Sequence, residues 1–576
     1  MDFDRRSAGQ AAKGFRIVEL ISKIDRRLLI VAAVAIAVML PIVFIGIPGG
    51  ADLPNHLRFV QPFYDSIRAG NWHPGWLAES NDGLGDPRFR FYPPALYYLW
   101  AAARVLTGSW YAGGVVSFVF LSVAGALGTY FWARALGNER TAMWAGVLYA
   151  IAPFHLNELY QASLLSEYAA CAVLPFAFAF TERICRDRKL ADIAGLAASF
   201  ALLVLTHVPL TVLGSISLAV YALLRIERKS FLSTVARLAI GVFVGLAASS
   251  FYWITMVAEL HWIKGSGAEP NPYYDYRLNF LFSPAALANR NTWYANLVGL
   301  AMIAFLLPGL VFLRRIFRDR ANNRGLMAAA ALTVTSFLFT TALTRPLWAV
   351  IPKLSEVQFP WRWLAITSLC GAVLVAASLP KWIETFRVHV RPRDLAVAFA
   401  FVLSLGFVLS QVIIECDYIN RAQFEAMARE MRGAPSFKDW LPVTARDLLH
   451  TDLKRDKVDA GSRSVTNELW ESERRQFKVA DGPDTEARVR TYYYPHWQAT
   501  ANGQTLATRA DTDGTILISL PPAAADITLT FSEPPRVRYA ELLSLLGWLA
   551  IAAIGVSRLS LFAGHQAQML VLANSQ

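Results

Sequence analysis

Twelve apolar runs punctuate the chain, at 28–47, 111–133, 141–156, 162–182, 190–206, 208–224, 231–258, 293–313, 325–343, 363–379, 394–414 and 539–557. Runs of roughly 17 to 25 apolar residues match the hydrocarbon core of a bilayer, so each predicts a crossing helix. Together they predict a polytopic α-helical membrane protein with about 12 transmembrane helices. Most connections between the runs are short. Three are long, at 48–110, 259–292 and 415–538, and function is expected there.

The last of these changes periodicity. A charged helical stretch from Arg421 to Arg432 gives way to the alternating segments "TILISLP" and "DITLTFS", with Asn502-Gly503 and Asp513-Gly514 placed as hairpin turns. The pattern predicts a soluble α+β domain over 415–538 that contains an antiparallel β-sandwich. The other boundaries follow: a polar segment 1–27, a helical membrane domain 28–414 whose first large loop is 48–110, a last crossing at 539–557 and a tail 558–576.

Hydrophobic residues make up 55% of the chain and mean hydropathy is +0.36, more apolar than a water-soluble core can hide. The net charge of +12 would suit nucleic acid, but the cations stand in clusters between apolar runs. "RRLL", "RALGNER", "RICRDRK", "RIERK", "RRIFRDRANNR", "RVHVRPRD" and "SRLS" occupy every second connection, which predicts that these and the N-terminus are cytoplasmic. The three long segments then lie on the opposite side, membrane lipid is the expected surrounding, and nucleic acid is not an expected partner. Of four cysteines, Cys171 and Cys370 lie in apolar runs, Cys185 sits beside arginines and Cys416 stands alone, so no disulfide framework or metal spacing is visible. The first run lacks a small-residue cleavage site and is expected to remain as an uncleaved helix.

The first long loop is rich in candidates. Leu57, Val60, Tyr64 and Ile67 form an apolar stripe opposite Arg58, Asp65 and Arg68, the pattern of an interfacial helix that Pro62 should kink. Asp52 stands just before that helix, as its N-cap or as a carboxylate that takes a proton from an acceptor hydroxyl or orders a cation. One turn on, His56 shares that site or sits on the surface. In "GDPRFRFYPP", Arg88 and Arg90 stand two apart among Phe89, Phe91 and Tyr92, as forks for phosphate or as anchors to lipid head groups. Ionisable residues near membrane depth are Glu158, Glu167, His207 and Arg362; each pins helices together or contacts substrate, and Arg362, between two tryptophans, snorkels or clamps a lipid phosphate. All of them fall on one predicted side of the membrane, so a single site is expected.

Taken in order, "ADLPNH", "GNWHPGW", "GLGDPRFRFYPPALYYL", "SLLSEYAA", "THVPL", "VQFPWRW" and "YYYPHWQATANGQ" give the chain its resemblance to the polytopic glycosyltransferases of the GT-C fold. It is most similar to bacterial membrane proteins of the "6-pyruvoyl-tetrahydropterin synthase related" family, a name that does not denote an activity. The resemblance implies a GT-C-like enzyme of the bacterial cytoplasmic membrane, with its large loops and C-terminal domain periplasmic. It would move a sugar from a polyprenyl-phosphate donor to an envelope glycan, lipid or protein acceptor, with inversion. Asp52 would be the base or metal-coordinating carboxylate and His56 its assistant. Arg88, Arg90 and Arg362 are then the phosphate ligands by their chemistry, Tyr92 adjoins them, and Glu158, Glu167 and His207 become sugar or acceptor contacts. No organic cofactor is implied. A divalent cation, Mg2+ or Mn2+, is left open on Asp52, against which stands the absence of an acidic neighbour before Asp65. Two other classes compete: a polytopic transporter or lipid flippase, and a non-catalytic scaffold of envelope polysaccharide assembly.

Overall fold

The computed structural model describes residues 25–187, 189–266, 272–289, 292–319, 323–435, 438–446 and 456–573, with side chains as far as 555. The segment 1–24 and the side chains of the tail lie outside the described residues. Eight helices among those described are long and apolar enough to cross a membrane: Trp110–Leu136, Leu165–Arg186, Val208–Arg225, Arg228–Ala248, Trp293–Leu310, Pro360–Val388, Pro392–Ile413 and Pro535–Gly555. Leu190–Thr206 and Arg324–Phe339 are shorter apolar helices.

The two remaining predicted runs are broken. The first divides into Arg26–Ala37 and Leu40–Phe44, and the third into Glu139–Ala150 and Pro153–Tyr160. Proline explains both breaks: Pro41 and Pro153 lack the N–H an uninterrupted helix would use, and each sits where a new helix starts.

Pro360–Val388 is the central helix, with 83% of its apolar window buried, whereas Pro392–Ile413 and Pro535–Gly555 bury only 22%. Peripheral helices that leave Phe243, Leu232 and Phe399 largely exposed need lipid, not water, beside them.

Beyond one end of the bundle stands the β-domain. Short strand β1 (Ile47–Pro48) pairs with β2 (Tyr418–Ile419), tying the exit of the first helices to the entry of that domain. The remaining strands are β3 (Val458–Asp459), β4 (Val465–Trp470), β5 (Arg474–Val479), β6 (Glu486–Tyr492), β7 (Trp497–Ala501), β8 (Gln504–Leu506), β9 (Thr508–Ala510), β10 (Thr515–Ser519) and β11 (Ala525–Phe531). Sheets ordered β3-β6-β10-β9 and β4-β5-β11-β7-β8 pack face to face on one core that includes Phe477, Ala499 and Leu529 from one and Val489, Ile516 and Ile518 from the other. Both expected hairpin turns are present, with Asn502, Gly503 and Gly514 at positive φ.

The first loop is not separate from that sandwich. Trp76 is fully buried within its core, against the rings of Trp497 and Phe531. The amphipathic helix Leu53–Arg68 forms as expected and runs through Pro62, but its apolar stripe meets protein rather than lipid head groups. Leu57 and Val60 are fully buried, and Gln61 Nε2 donates to Ala428 O at 2.7 Å in the overlying helix Arg421–Met431.

Candidate active site

Between one end of the bundle and the segment that leads into the β-domain, the chain lines an open cavity of about 770 Å³. Its walls come from regions far apart in sequence: Asp52, Asn55, His56 and Tyr92 from the first loop, Asn157 and Gln161 from the Pro153–Tyr160 turn, Tyr273 and Tyr274, Trp361 and Arg362, and Asp439 and Trp440 from the start of the C-terminal domain. Phe154, Val298 and Leu364 add apolar wall on the bundle side.

Asp52 occupies the N-cap position of the Leu53–Arg68 helix, yet its side chain makes no capping bond. Asn55 Nδ2 donates to its Oδ1 at 2.8 Å, and His56 Nε2 lies 3.2 Å from its Oδ2. Asn55 is held in turn by Arg58 Nη1, which donates to its Oδ1 at 2.9 Å, and His56 Nδ1 stands 2.9 Å from the Tyr97 hydroxyl. Burial pushes the Asp52 carboxyl up. The bond and charge of His56, with help from Asn55 and Arg362, more than offset burial and leave the carboxyl below the ordinary aspartate value. It is therefore an anion at neutral pH. Close approach at this rim depends on Gly50, where a Cβ would come within 2.6 Å of Ser163 Oγ and 2.7 Å of Gln161 O.

Arg362 stands on another wall, at the start of the central helix. Its Nε donates to Glu167 Oε2 at 2.9 Å and its Nη1 to Val357 O at 2.7 Å, which leaves Nη2 without a partner among the described residues. The guanidinium is stacked near the rings of Phe359 and Trp361. Such a fork, anchored on two sides and open on the third, is a ready seat for an anion. Tyr92 donates to Ser166 Oγ at 3.3 Å; burial, then the charge of Asp52, pushes its hydroxyl up to about 12, so it stays a donor.

The other sequence candidates lie elsewhere. Glu167 is behind Arg362, and His207 Nε2 is 3.9 Å from the same carboxylate while His207 Nδ1 caps the following helix through Leu210 N. Glu158 is buried in the Pro153–Tyr160 turn beside Cys171. Arg88 is paired with Asp86 at 2.5 Å and stacked on Phe59, fully buried. Arg90 lies at the β-domain interface: its Nε donates to Glu259 Oε2 at 2.5 Å and its Nη1 to Glu533 Oε1 at 2.5 Å. Arg536, Tyr494 and His496 complete the shell around Glu259. Neither Arg88 nor Arg90 lines the cavity, because each guanidinium is committed to a carboxylate.

Several lining residues carry no sequence signal of their own. Asn55 sits inside "ADLPNH", but Asn157, Gln161, Asp439 and Trp440 stand in unremarkable contexts, and only folding assembles them. Tyr273 and Tyr274 fall in the long 259–292 connection, whose length was the one clue.

The family model described as 6-pyruvoyl-tetrahydropterin synthase related domain, a membrane protein, matches residues 89–419. No curated protein matches the sequence. Among solved structures, the chain is similar to the arabinofuranosyltransferase AftD from Mycobacteria at 19% identity and a TM-score of 0.44, over 68% of this chain and 27% of that one. An oligosaccharyltransferase of Archaeoglobus fulgidus gives 13% identity and a TM-score of 0.43, over 71% of this chain and 56% of the other. ArnT from Cupriavidus metallidurans, bound to undecaprenyl phosphate, gives 15% identity and a TM-score of 0.42, over 70% and 75%. The chain thus spans about a quarter of the length of the first and just over half of the second. Likeness at this level says nothing by itself about activity.

Proposed function

The chain belongs to the 6-pyruvoyl-tetrahydropterin synthase related family of membrane proteins, and from that premise we propose that it is a membrane glycosyltransferase of the GT-C type. It transfers a sugar from a polyprenyl-phosphate donor to a hydroxyl of an envelope glycan, lipid or protein, on the outer face of the cytoplasmic membrane. The observation that carries this reading is the pairing, in one cavity at the end of the bundle, of an anionic carboxylate with an open arginine fork: Asp52 and Arg362.

Each wall then has a task. The apolar residues Phe154, Val298 and Leu364 suit the first units of a prenyl chain that rises between helices. Arg362 receives the phosphate through Nη2. Tyr92, Tyr274 and Trp440 offer ring faces and edges to a sugar. The acceptor oxygen attacks the anomeric carbon, the bond from that carbon to the phosphate oxygen breaks with its electron pair, and Asp52 takes the acceptor's proton. Charge that builds on the departing phosphate is met by the guanidinium, so no general acid is required. Direct displacement inverts the anomeric centre. A carboxylate below its ordinary pKa is a weak base, which places more of the burden on orientation of the hydroxyl and on Arg362.

A divalent cation is not needed for these steps. The lining supplies two carboxylates, Asp52 and Asp439, and Asn55 and His56 already engage Asp52, a thin donor set for a hard ion. Turnover that does not depend on added Mg2+ or Mn2+ is the expected result.

The test is Asp52→Asn in purified chain reconstituted with polyprenyl-phosphate sugars and envelope acceptors. Turnover should fall about 10²- to 10⁴-fold while the thermal midpoint holds. Unchanged turnover would remove Asp52 from the chemistry; lipid scrambling without any transfer product from the unaltered chain would favour a flippase instead.

A further inference from the structure

Beneath the cavity floor lies a polar cluster that the transfer chemistry does not use. His155 and Glu158 come from the Pro153–Tyr160 turn and Cys171 from the Leu165–Arg186 helix. Their exposures are 2%, 0% and 1%. Each offers one ligand atom, and the three atoms lie within 4.8 Å of one another.

Two observations set this cluster apart from ordinary buried polar groups. Both ring nitrogens of His155 are buried without a hydrogen-bond partner, whereas Glu158 also meets the neighbouring Glu167 carboxyl. Leaving such groups unsatisfied costs about 1–3 kcal/mol each, so an imidazole with neither nitrogen satisfied calls for an occupant. Second, His155 is stacked between Tyr149 and Tyr168, with ring centroids at 4.5 and 4.8 Å. The tyrosines cover the two faces of the imidazole and leave its edge, where the nitrogens are, as the only direction for a bond. Metal ligation uses that in-plane direction.

We propose that His155, Glu158 and Cys171 bind one borderline-soft divalent cation, with zinc the best match. The ligand chemistry selects the metal: thiolate and imidazole disfavour magnesium and calcium and suit zinc. Geometry agrees. Cys171 Sγ is 3.3 Å from Glu158 Oε2, near the separation of about 3.6 Å for two ligands at about 2.3 and 2.1 Å from a tetrahedral centre. Charge agrees as well, since a thiolate and a carboxylate cancel the ion's two positive charges and the histidine is neutral, giving a site of zero net charge that a bundle interior accepts. On loading, the Cys171 thiol gives up its proton to solvent, and Glu158 gives up any proton it carries.

The ion's place in the fold assigns it a structural task. It joins the Pro153–Tyr160 turn to the next helix at the point where Asn157 and Gln161 face the cavity and Glu167 holds Arg362. His-x-x-Glu followed by a cysteine thirteen residues later matches no familiar metal spacing, which is why the sequence showed none. The inference stands whether or not the cavity transfers sugar.

Full-length chain is purified in detergent without chelator, stripped, and titrated with Zn2+ or Co2+. One equivalent should bind, Co2+ should produce a thiolate-to-cobalt charge-transfer band, and Zn2+ should raise the thermal midpoint. Cys171→Ser should abolish the band and weaken binding at least about tenfold. Where that variant does not fold, the chain with Cys185, Cys370 and Cys416 all changed to Ser keeps Cys171 as its one thiol and should retain the band. No stoichiometric uptake by the unaltered chain, a band that survives in folded Cys171→Ser, or its loss from the chain with Cys171 alone would each overturn the proposal.

Discussion

Two places in this molecule gather the same side chains and put them to opposite use. At the cavity, a carboxylate, a histidine, tyrosines and an arginine line an open space, and Arg362 keeps one edge unengaged. At the β-domain interface, Glu259, His496, Tyr494 and Arg90 meet with no space between them. Burial pushes the Glu259 carboxyl up, but His496, Arg90 and Arg536 outweigh it and hold the group well below the usual range. What separates a clamp from a candidate site is therefore not which residues gather but whether a donor is left over. An arginine whose three nitrogens all donate to protein carboxylates, and which lines no cavity, has little to offer a ligand.

Removing the clamp's cation should have the largest effect. Arg90→Met strands Glu259 and Glu533 beside each other, and a loss of about 3–5 kcal/mol is expected, read as a lower thermal midpoint and easier proteolytic release of the β-domain. Turnover per folded molecule should survive. A variant as stable as wild type would show that the ion pairs do not hold the interface.

The complementary change is Arg362→Gln. Turnover should drop about 10²- to 10³-fold, with stability disturbed less than by Arg90→Met. Were the two variants to fail in the same way, the contrast between site and clamp would not hold. A smaller response is expected of Glu167→Gln, which keeps the shape of the contact to Arg362 but removes its charge: about tenfold lower turnover, recovered in part by higher donor concentration if the arginine has only lost its aim.

Glu473 supplies the smallest and most specific probe. Burial, then the charge of Glu533, pushes its carboxyl up to about 7 from 4.5. The folded chain thus retains a proton that the unfolded chain would release, and stability declines as pH rises from about 4.5 to about 7. Glu473→Gln cannot ionise, so its unfolding free energy relative to wild type should rise between about pH 4.5 and about pH 7, by an amount on the order of 1 kcal/mol. A difference that stays flat with pH would place the carboxyl in water instead.

These contrasts explain what could be read before folding. The helical membrane domain, the β-sandwich and its two hairpin turns were legible because they depend on period and on local turn chemistry. Asp52, His56 and Tyr92 belong to one compact loop, and Arg362 starts a helix that enters the same space. Arg88 and Arg90 look like a phosphate fork in sequence. Their partners decide otherwise: Asp86 is two residues away, but Glu259 and Glu533 are 169 and 443 residues away, and no local pattern reveals such distant pairing. The membrane-surface role expected of the Leu53–Arg68 helix failed for a similar reason, since an apolar stripe does not say whether lipid or protein will cover it. Asp439 and Trp440 went unseen because a cavity wall made by one turn of a distant domain leaves no periodic trace.

Trp76 carries a lesson about synthesis. Its backbone carbonyl accepts a hydrogen bond from Ser472, 396 residues further along the chain, and its ring is enclosed by strands that emerge later still. While the ribosome works through the intervening helices, this bulky indole waits with nothing to cover it, so the loop beside Asp52 can reach its final form only after the strands that carry Trp497 and Phe531 have been made. A product released before those strands would display that ring to chaperones and proteases, which ties competence at the cavity to synthesis of the β-domain.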